Sequence, residues 1–152
     1  MKRYGFELLT WIGAKRGVTL SEAPAQPGRS NAADYILVVE DDFLVRLMVS
    51  DSLREAGFNV IEAFNADEAI YILRSGVPVD LMLSDVRMPG TMDGLELLEH
   101  SRRTYPDIPV IMMSGHLAAH EALSRGASHF LAKPYSFQTA LTLIGQELAR
   151  TR

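Results

Sequence analysis

Cysteine is absent from the 152 residues. That excludes a disulfide framework, a thiolate nucleophile and any metal site built on sulfur, and it agrees with a reducing compartment. An excess of basic residues is missing as well, since the formal net charge is -4. The charge is unevenly spread: residues 1–33 carry five Lys/Arg against two Asp/Glu, which leaves residues 34–152 at -7. An acidic body of this kind argues against a nucleic-acid surface. Long apolar runs are also lacking, and the longest are strand-sized, too short for a membrane-spanning helix. The start, "MKRYGFELLTWIGAKRG", has the basic beginning of a signal peptide, but its apolar centre is short and interrupted by Glu7. The expectation is a soluble, cytoplasmic protein with no membrane span.

What is present suits one globular domain with a single core: 47% of the residues are apolar and 22% charged. The stretch "VTLSEAPAQPGRSNAAD", Val18 to Asp34, mixes Pro24, Pro27 and Gly28 with small polar residues and reads as a linker. Residues 1–33 are therefore expected to form a flexible extension, with Phe6, Leu8, Leu9, Trp11 and Ile12 as a short amphipathic segment. Residues 34–152 are expected to form the folded domain.

From Tyr35 onward, β-branched runs alternate with helix-length amphipathic stretches. "YILVV", "FNVIEA", "VDLMLSD", "IPVIMMS" and "ASHFLA" read as strands. Between and after them, "FLVRLMVSDSLREA", "ADEAIYILRS", "GLELLEHSRRTY", a shorter piece from about Leu117 to Arg125, and "FQTALTLIGQELAR" read as helices. Asp42 and Ser136 suit N-caps, Asn65 with Glu68 resembles a capping box, and Gly57 and Gly76 suit left-handed helix ends. The pattern predicts an α/β fold, a doubly wound five-stranded parallel sheet with five helices and functional groups at the carboxyl ends of its strands.

Those ends carry Glu40, Asp41 and Asp42 after the first strand, Asp85 after the third, Ser114 after the fourth and Lys133 after the fifth. Taken alone, Asp85 in "LSDVRMPGTMDG" would be an ordinary turn or capping aspartate. With strand order 2-1-3-4-5, however, it shares a crevice with the acidic triplet. Clustered carboxylates repel unless something positive intervenes. One or two carboxylates plus waters is how magnesium is usually held, and Lys133 adds a second positive charge. The group suits a phosphoryl group carried on Asp85, with Ser114 donating a hydrogen bond to it. Asp42 is better placed as a helix cap than as a third ligand.

Four of these segments resemble, in order, those of the receiver domain of two-component response regulators, of the chemotaxis-regulator-like type. "ILVVEDD" is similar to the acidic pocket segment, "LMLSDVRMPGTMDGLELL" to the phosphoacceptor segment, "PVIMMSGH" to the hydroxyl switch segment and "ASHFLAKPYS" to the lysine segment. The resemblance covers about residues 34–150 and implies a flavodoxin-like fold. It implies that Asp85 is the phosphoacceptor and that Mg2+ is held by Glu40, Asp41, Asp85 and the backbone carbonyl of Arg87. Ser114 would close on the phosphoryl group, Lys133 would pair with it, Phe130 would be the aromatic that follows Ser114, and Pro134 would follow a cis peptide bond.

The implied function is that of a phosphoacceptor that catalyses its own phosphorylation and dephosphorylation, not of an enzyme in the ordinary sense. The implied partners are a sensor histidine kinase or histidine phosphotransfer protein as donor and a downstream protein target. Because Arg152 ends the sequence, the expectation is a stand-alone, single-domain regulator with no DNA-binding domain, able to form a homodimer. A phosphatase of the haloacid dehalogenase type would also use an aspartate nucleophile, but it wants a second acid two residues later, where Arg87 stands.

Some residues depart from the family pattern. Gly90 and Thr91 occupy a loop position that usually holds one residue, Arg87 is long and cationic, Phe130 lacks a tyrosine hydroxyl, and Gly115 leaves little bulk beside Ser114. His116 and His120 have helical ligand spacing but no evident third ligand, so a surface role is expected. His100 and His129 are read as structural, and Met112 and Met113 as core filler.

Overall fold

The computed structural model describes residues 33–116 and 119–152. The expected extension therefore lies outside the described residues, except for Ala33. Strands β1 (Tyr35–Val39), β2 (Asn59–Ala63), β3 (Leu81–Asp85), β4 (Val110–Ser114) and β5 (His129–Ala132) alternate with five helices. These are α1 (Phe43–Glu55), α2 (Ala66–Arg74), α3 (Gly94–Thr104), α4 (Ala119–Ser124) and α5 (Phe137–Arg150).

All strand pairs are parallel, in the order β2-β1-β3-β4-β5. The chain moves outward from β1 to β2 and then crosses back to β3. The strand order therefore reverses between β1 and β3, and in an open α/β sheet that reversal opens a crevice at the carboxyl ends.

Every residue of β3 and β4 is buried, which is why these strands read as nearly continuous apolar runs. Alternate side chains enter two separate cores. Leu37, Val39, Met82 and Met112 pack with Leu73, Leu97, Leu98 and Ala122 from α2, α3 and α4. Ile36, Val38, Leu83, Ile111 and Met113 pack with Leu53 of α1 and Ile144 and Leu148 of α5. Met112 and Met113 thus face opposite layers, both as core residues. Burying a side chain of this size contributes roughly 2 kcal/mol.

Local chemistry starts and stops the helices. Asp42 caps α1, its Oδ1 accepting from the N–H groups of Leu44 and Val45 at 2.9 and 3.1 Å. Ser136 caps α5 through the Thr139 N–H at 3.1 Å. Gly57 and Gly76, with φ of 93° and 78°, follow α1 and α2 in the left-handed conformation.

The capping box at α2 differs from expectation. Asn65 accepts from Glu68 N–H, but the Glu68 carboxylate reaches the N–H of Phe64, one residue before the cap. A reciprocal box stands instead at α3, where Asp93 and Glu96 satisfy each other's backbone N–H groups.

Candidate functional site

The register of the sheet builds the site. Val39 pairs with Ser84, so Glu40 and Asp85 leave neighbouring strand ends side by side. Ser114 pairs with Ala132, and the Lys133 N–H donates to the Ser114 carbonyl at 2.9 Å, which brings the lysine in from the other flank. The Lys133–Pro134 peptide that follows is cis.

Lys133 Nζ lies 3.1 Å from Glu40 Oε2 and 3.3 Å from Asp85 Oδ1. Asp85 Oδ1 also accepts from the Val86 N–H at 3.0 Å, so both of these contacts fall on one oxygen of the carboxylate. Glu40 Oε1 accepts from the Asp42 N–H at 3.1 Å. Glu40, Asp85 and Ser114 are all buried, whereas Asp41 is exposed. The Ser114 hydroxyl accepts from the His116 N–H at 3.2 Å.

These surroundings move the proton affinities. Burial pushes the Glu40 carboxyl up to about 7, with Lys133 opposing the rise and Asp85 adding to it. Asp85 is raised for the same first reason, burial, against the pull of Lys133. Burial by itself would lower the Lys133 ammonium, but the two acids hold it above the usual lysine value. The site thus carries more buried negative charge than one lysine offsets.

Glu40, Asp41 and Asp85 each offer a carboxylate oxygen, and these oxygens lie within 4.8 Å of one another. An all-oxygen acidic donor set suits a hard divalent cation and offers nothing to a soft one. Asp42, occupied as a helix cap, stands outside this group. Arg87 is exposed and Phe130 is partly buried against the core that includes Met112.

Three site features were not foreseen. Gly94, the first residue of α3, packs directly on the backbone of Asp85 and Val86. A helix-opening glycine straight after a capping aspartate was the available signal. Arg46 donates to the main-chain carbonyl of Glu40, and nothing local in the sequence announces that bond. The loop with the additional residue is tethered to α2: Thr91 Oγ1 lies 2.9 and 3.0 Å from the two carboxylate oxygens of Asp67, and Gly90 has a φ of 125°.

A doubly wound parallel sheet with an acidic, lysine-flanked crevice at its strand-order reversal defines the class of protein. The chain belongs to the response regulator receiver domain family of two-component systems, whose family model matches residues 36–144. It is similar to the DNA-binding transcriptional regulator NtrC of Salmonella typhimurium, with 37% identity over 117 residues covering 75% of this chain and 24% of that one. The response regulator protein FleR of Pseudomonas aeruginosa matches at the same identity and coverage. Among solved structures, the receiver domain of NtrX from Brucella abortus superposes with a TM-score of 0.70 at 33% identity, covering 75% of this chain and 98% of that one. The receiver domain of the Francisella response regulator 1452 gives 0.73 at 26% identity, covering 78% and 99%.

The comparisons correct one expectation. The chain spans about a quarter of the length of these curated relatives, some of which are named as DNA-binding regulators. In the expected partner set, the stand-alone form with no DNA-binding domain therefore does not hold. The physical reason is that a receiver folds around its own cores, so its residues do not reveal whether a further domain is joined to it. Among the described residues, no helix is long and apolar enough to cross a membrane.

Proposed function

We propose that the chain is a phosphoacceptor, receiving a phosphoryl group on Asp85 from a histidine kinase or histidine phosphotransfer protein in the cytoplasm and losing it again by hydrolysis. The observation that carries this reading is Lys133 Nζ, set between Glu40 and Asp85 at 3.1 and 3.3 Å beside the exposed Asp41. A buried carboxylate with a fixed ammonium beside it and oxygen donors around it is arranged for a nucleophile that becomes a dianion.

Asp85 Oδ1 is engaged by Val86 and Lys133, so the attacking oxygen is Oδ2. It forms the O–P bond as the P–N bond of the donor phosphohistidine breaks, and the imidazole leaves with the electron pair. Lys133 then pairs with a phosphoryl oxygen, and the Ser114 hydroxyl donates to another. Glu40, Asp41, Asp85 and the Arg87 carbonyl would hold Mg2+, which when bound supplies neutralisation of phosphoryl charge. Phe130 repacks as Ser114 moves. The chain's own groups thus catalyse both gain and loss of the phosphoryl group, without turning over a separate substrate.

Incubation with acetyl phosphate and Mg2+ tests the reading. Mass spectrometry is expected to find one phosphate per chain that is labile to acid, to base and to hydroxylamine, absent from Asp85→Asn. Equal labelling of Asp85→Asn overturns the assignment.

A further inference from the structure

Arg46 lies in the first turn of α1, and its side chain is only 14% exposed. Its Nη1 donates to the main-chain carbonyl of Glu40 at 2.7 Å. Its Nε lies 3.3 Å from Glu62 Oε2 on β2, and the guanidinium carbon sits 5.7 Å from the centroid of the Phe43 ring. A planar fork held by a carbonyl, a carboxylate and an aromatic face has little freedom to turn. Glu62 is itself held, accepting from Arg54 Nη2 at 2.7 Å.

The Glu40 carbonyl belongs to the peptide that joins Glu40 to Asp41. The plane of that peptide sets where the Asp41 carboxylate stands relative to Glu40 and Asp85. The Glu40 carboxylate is fastened separately, through the Asp42 N–H and Lys133; the main chain is also held upstream, where the Glu40 N–H donates to the Ala63 carbonyl, and downstream, where Asp42 caps α1. Arg46 holds the main chain between these points, where it leads on to Asp41.

We infer that Arg46 is a positioning residue for divalent-cation binding, which orients the Glu40–Asp41 peptide from outside the site, and that Glu62 acts through it. The inference rests on the proposed cation-assisted phosphoacceptor function. Positioning and simple charge predict opposite signs. Removing a cation from beside an acidic cluster strengthens Mg2+ binding by Coulomb's law, whereas releasing the peptide weakens it.

The test is Mg2+ affinity of the full unphosphorylated chain by isothermal titration calorimetry, with circular dichroism and thermal unfolding alongside. Arg46→Met, which keeps the apolar stem, is expected to weaken binding about tenfold, as loss of an outer partner of metal ligands does, while the circular dichroism spectrum is unchanged. Glu62→Gln added to Arg46→Met is expected to cost nothing further, because residues acting through one another do not add. Unchanged or tightened binding in Arg46→Met overturns the inference, and a further tenfold loss in the double variant overturns the part given to Glu62. Should Arg46→Met fail to fold, Arg46→Lys carries the test: weakened binding supports the need for the fork, and wild-type affinity overturns it. If the wild-type chain binds Mg2+ no better than Asp41→Asn, the cation reading fails and takes this inference with it. That outcome is distinct from a failure confined to Arg46.

Discussion

Gly94 lies against Asp85 with no room for a side chain: a Cβ on Gly94 would overlap the Asp85 carbonyl oxygen and stand 2.7 Å from Val86 Cα. The Gly94 N–H donates to the Val86 carbonyl at 2.8 Å, so helix α3 begins on the Val86–Arg87 peptide, one residue beyond Asp85. The neighbour is backbone, which cannot swing aside as a flexible side chain would.

Gly94→Ala is therefore expected to cost about 3 kcal/mol, at the upper end for overpacking, read as a lower midpoint in urea denaturation. Gly145, within α5, is the control, because nothing lies within 4 Å of a Cβ there. Gly145→Ala is expected to be neutral or to stabilise by up to about 1 kcal/mol through helix propensity. Equal effects of the two substitutions would show that α3 can shift off Asp85 at no cost.

The buried acids set a pH dependence. Glu40 has a folded-state value of about 7 against an ordinary 4.5. Between those values the folded chain binds more protons than the unfolded chain, so the contribution of Glu40 to stability is fully present below the lower value and is lost as pH rises through the upper one. Asp85 shifts in the same direction. Lys133, also raised, contributes stability that is fully present below the ordinary 10.5 and is lost as pH rises through its higher folded value. Without divalent cation, the melting temperature is expected to fall between pH 5 and pH 8, and Glu40→Gln to flatten that fall; parallel curves for the two proteins would refute the assignment. Mg2+ affinity is expected to rise by up to about tenfold per pH unit below neutrality and then to level off, because the cation displaces a proton.

Neighbouring acids at the end of β1 are expected to separate by role. Asp42 Oδ1 accepts from Leu44 and Val45 N–H groups, so Asp42→Ala should cost about 1 kcal/mol as a lost helix cap. Its effect on Mg2+ affinity should stay within about twofold, the size of a screened surface charge. Asp41→Asn should do the reverse, leaving the unfolding midpoint nearly unchanged while weakening Mg2+ by about tenfold or more, since it removes one of the proposed charged ligands. Similar profiles for the two variants would mean that the acids share one role.

Much of the fold was legible because its signals are local. The continuous apolar runs of β3 and β4 mark strands buried on both faces, and the caps at Asp42 and Ser136 lie within three residues of the N–H groups they satisfy. Glu40, Asp85, Ser114 and Lys133 were readable as one group because each directly follows or ends a strand, and parallel strands deliver such residues to one edge. The displaced capping box at Glu68 shows where this logic thins. A side chain with two backbone N–H groups in reach chooses between them by geometry that residue types do not encode.

The sequence by itself determined the order of strands and helices, the capping of α1 and α5 and the residues that meet at the carboxyl edge, because periodicity and chain order carry that information. Only the tertiary structure decided that Gly94 abuts Asp85, that Arg46 holds the Glu40 carbonyl, that Thr91 is tied to Asp67 and that Glu40 holds its proton to about 7. Those features depend on close approach and on exclusion of water. Both arise when residues distant along the chain are packed together.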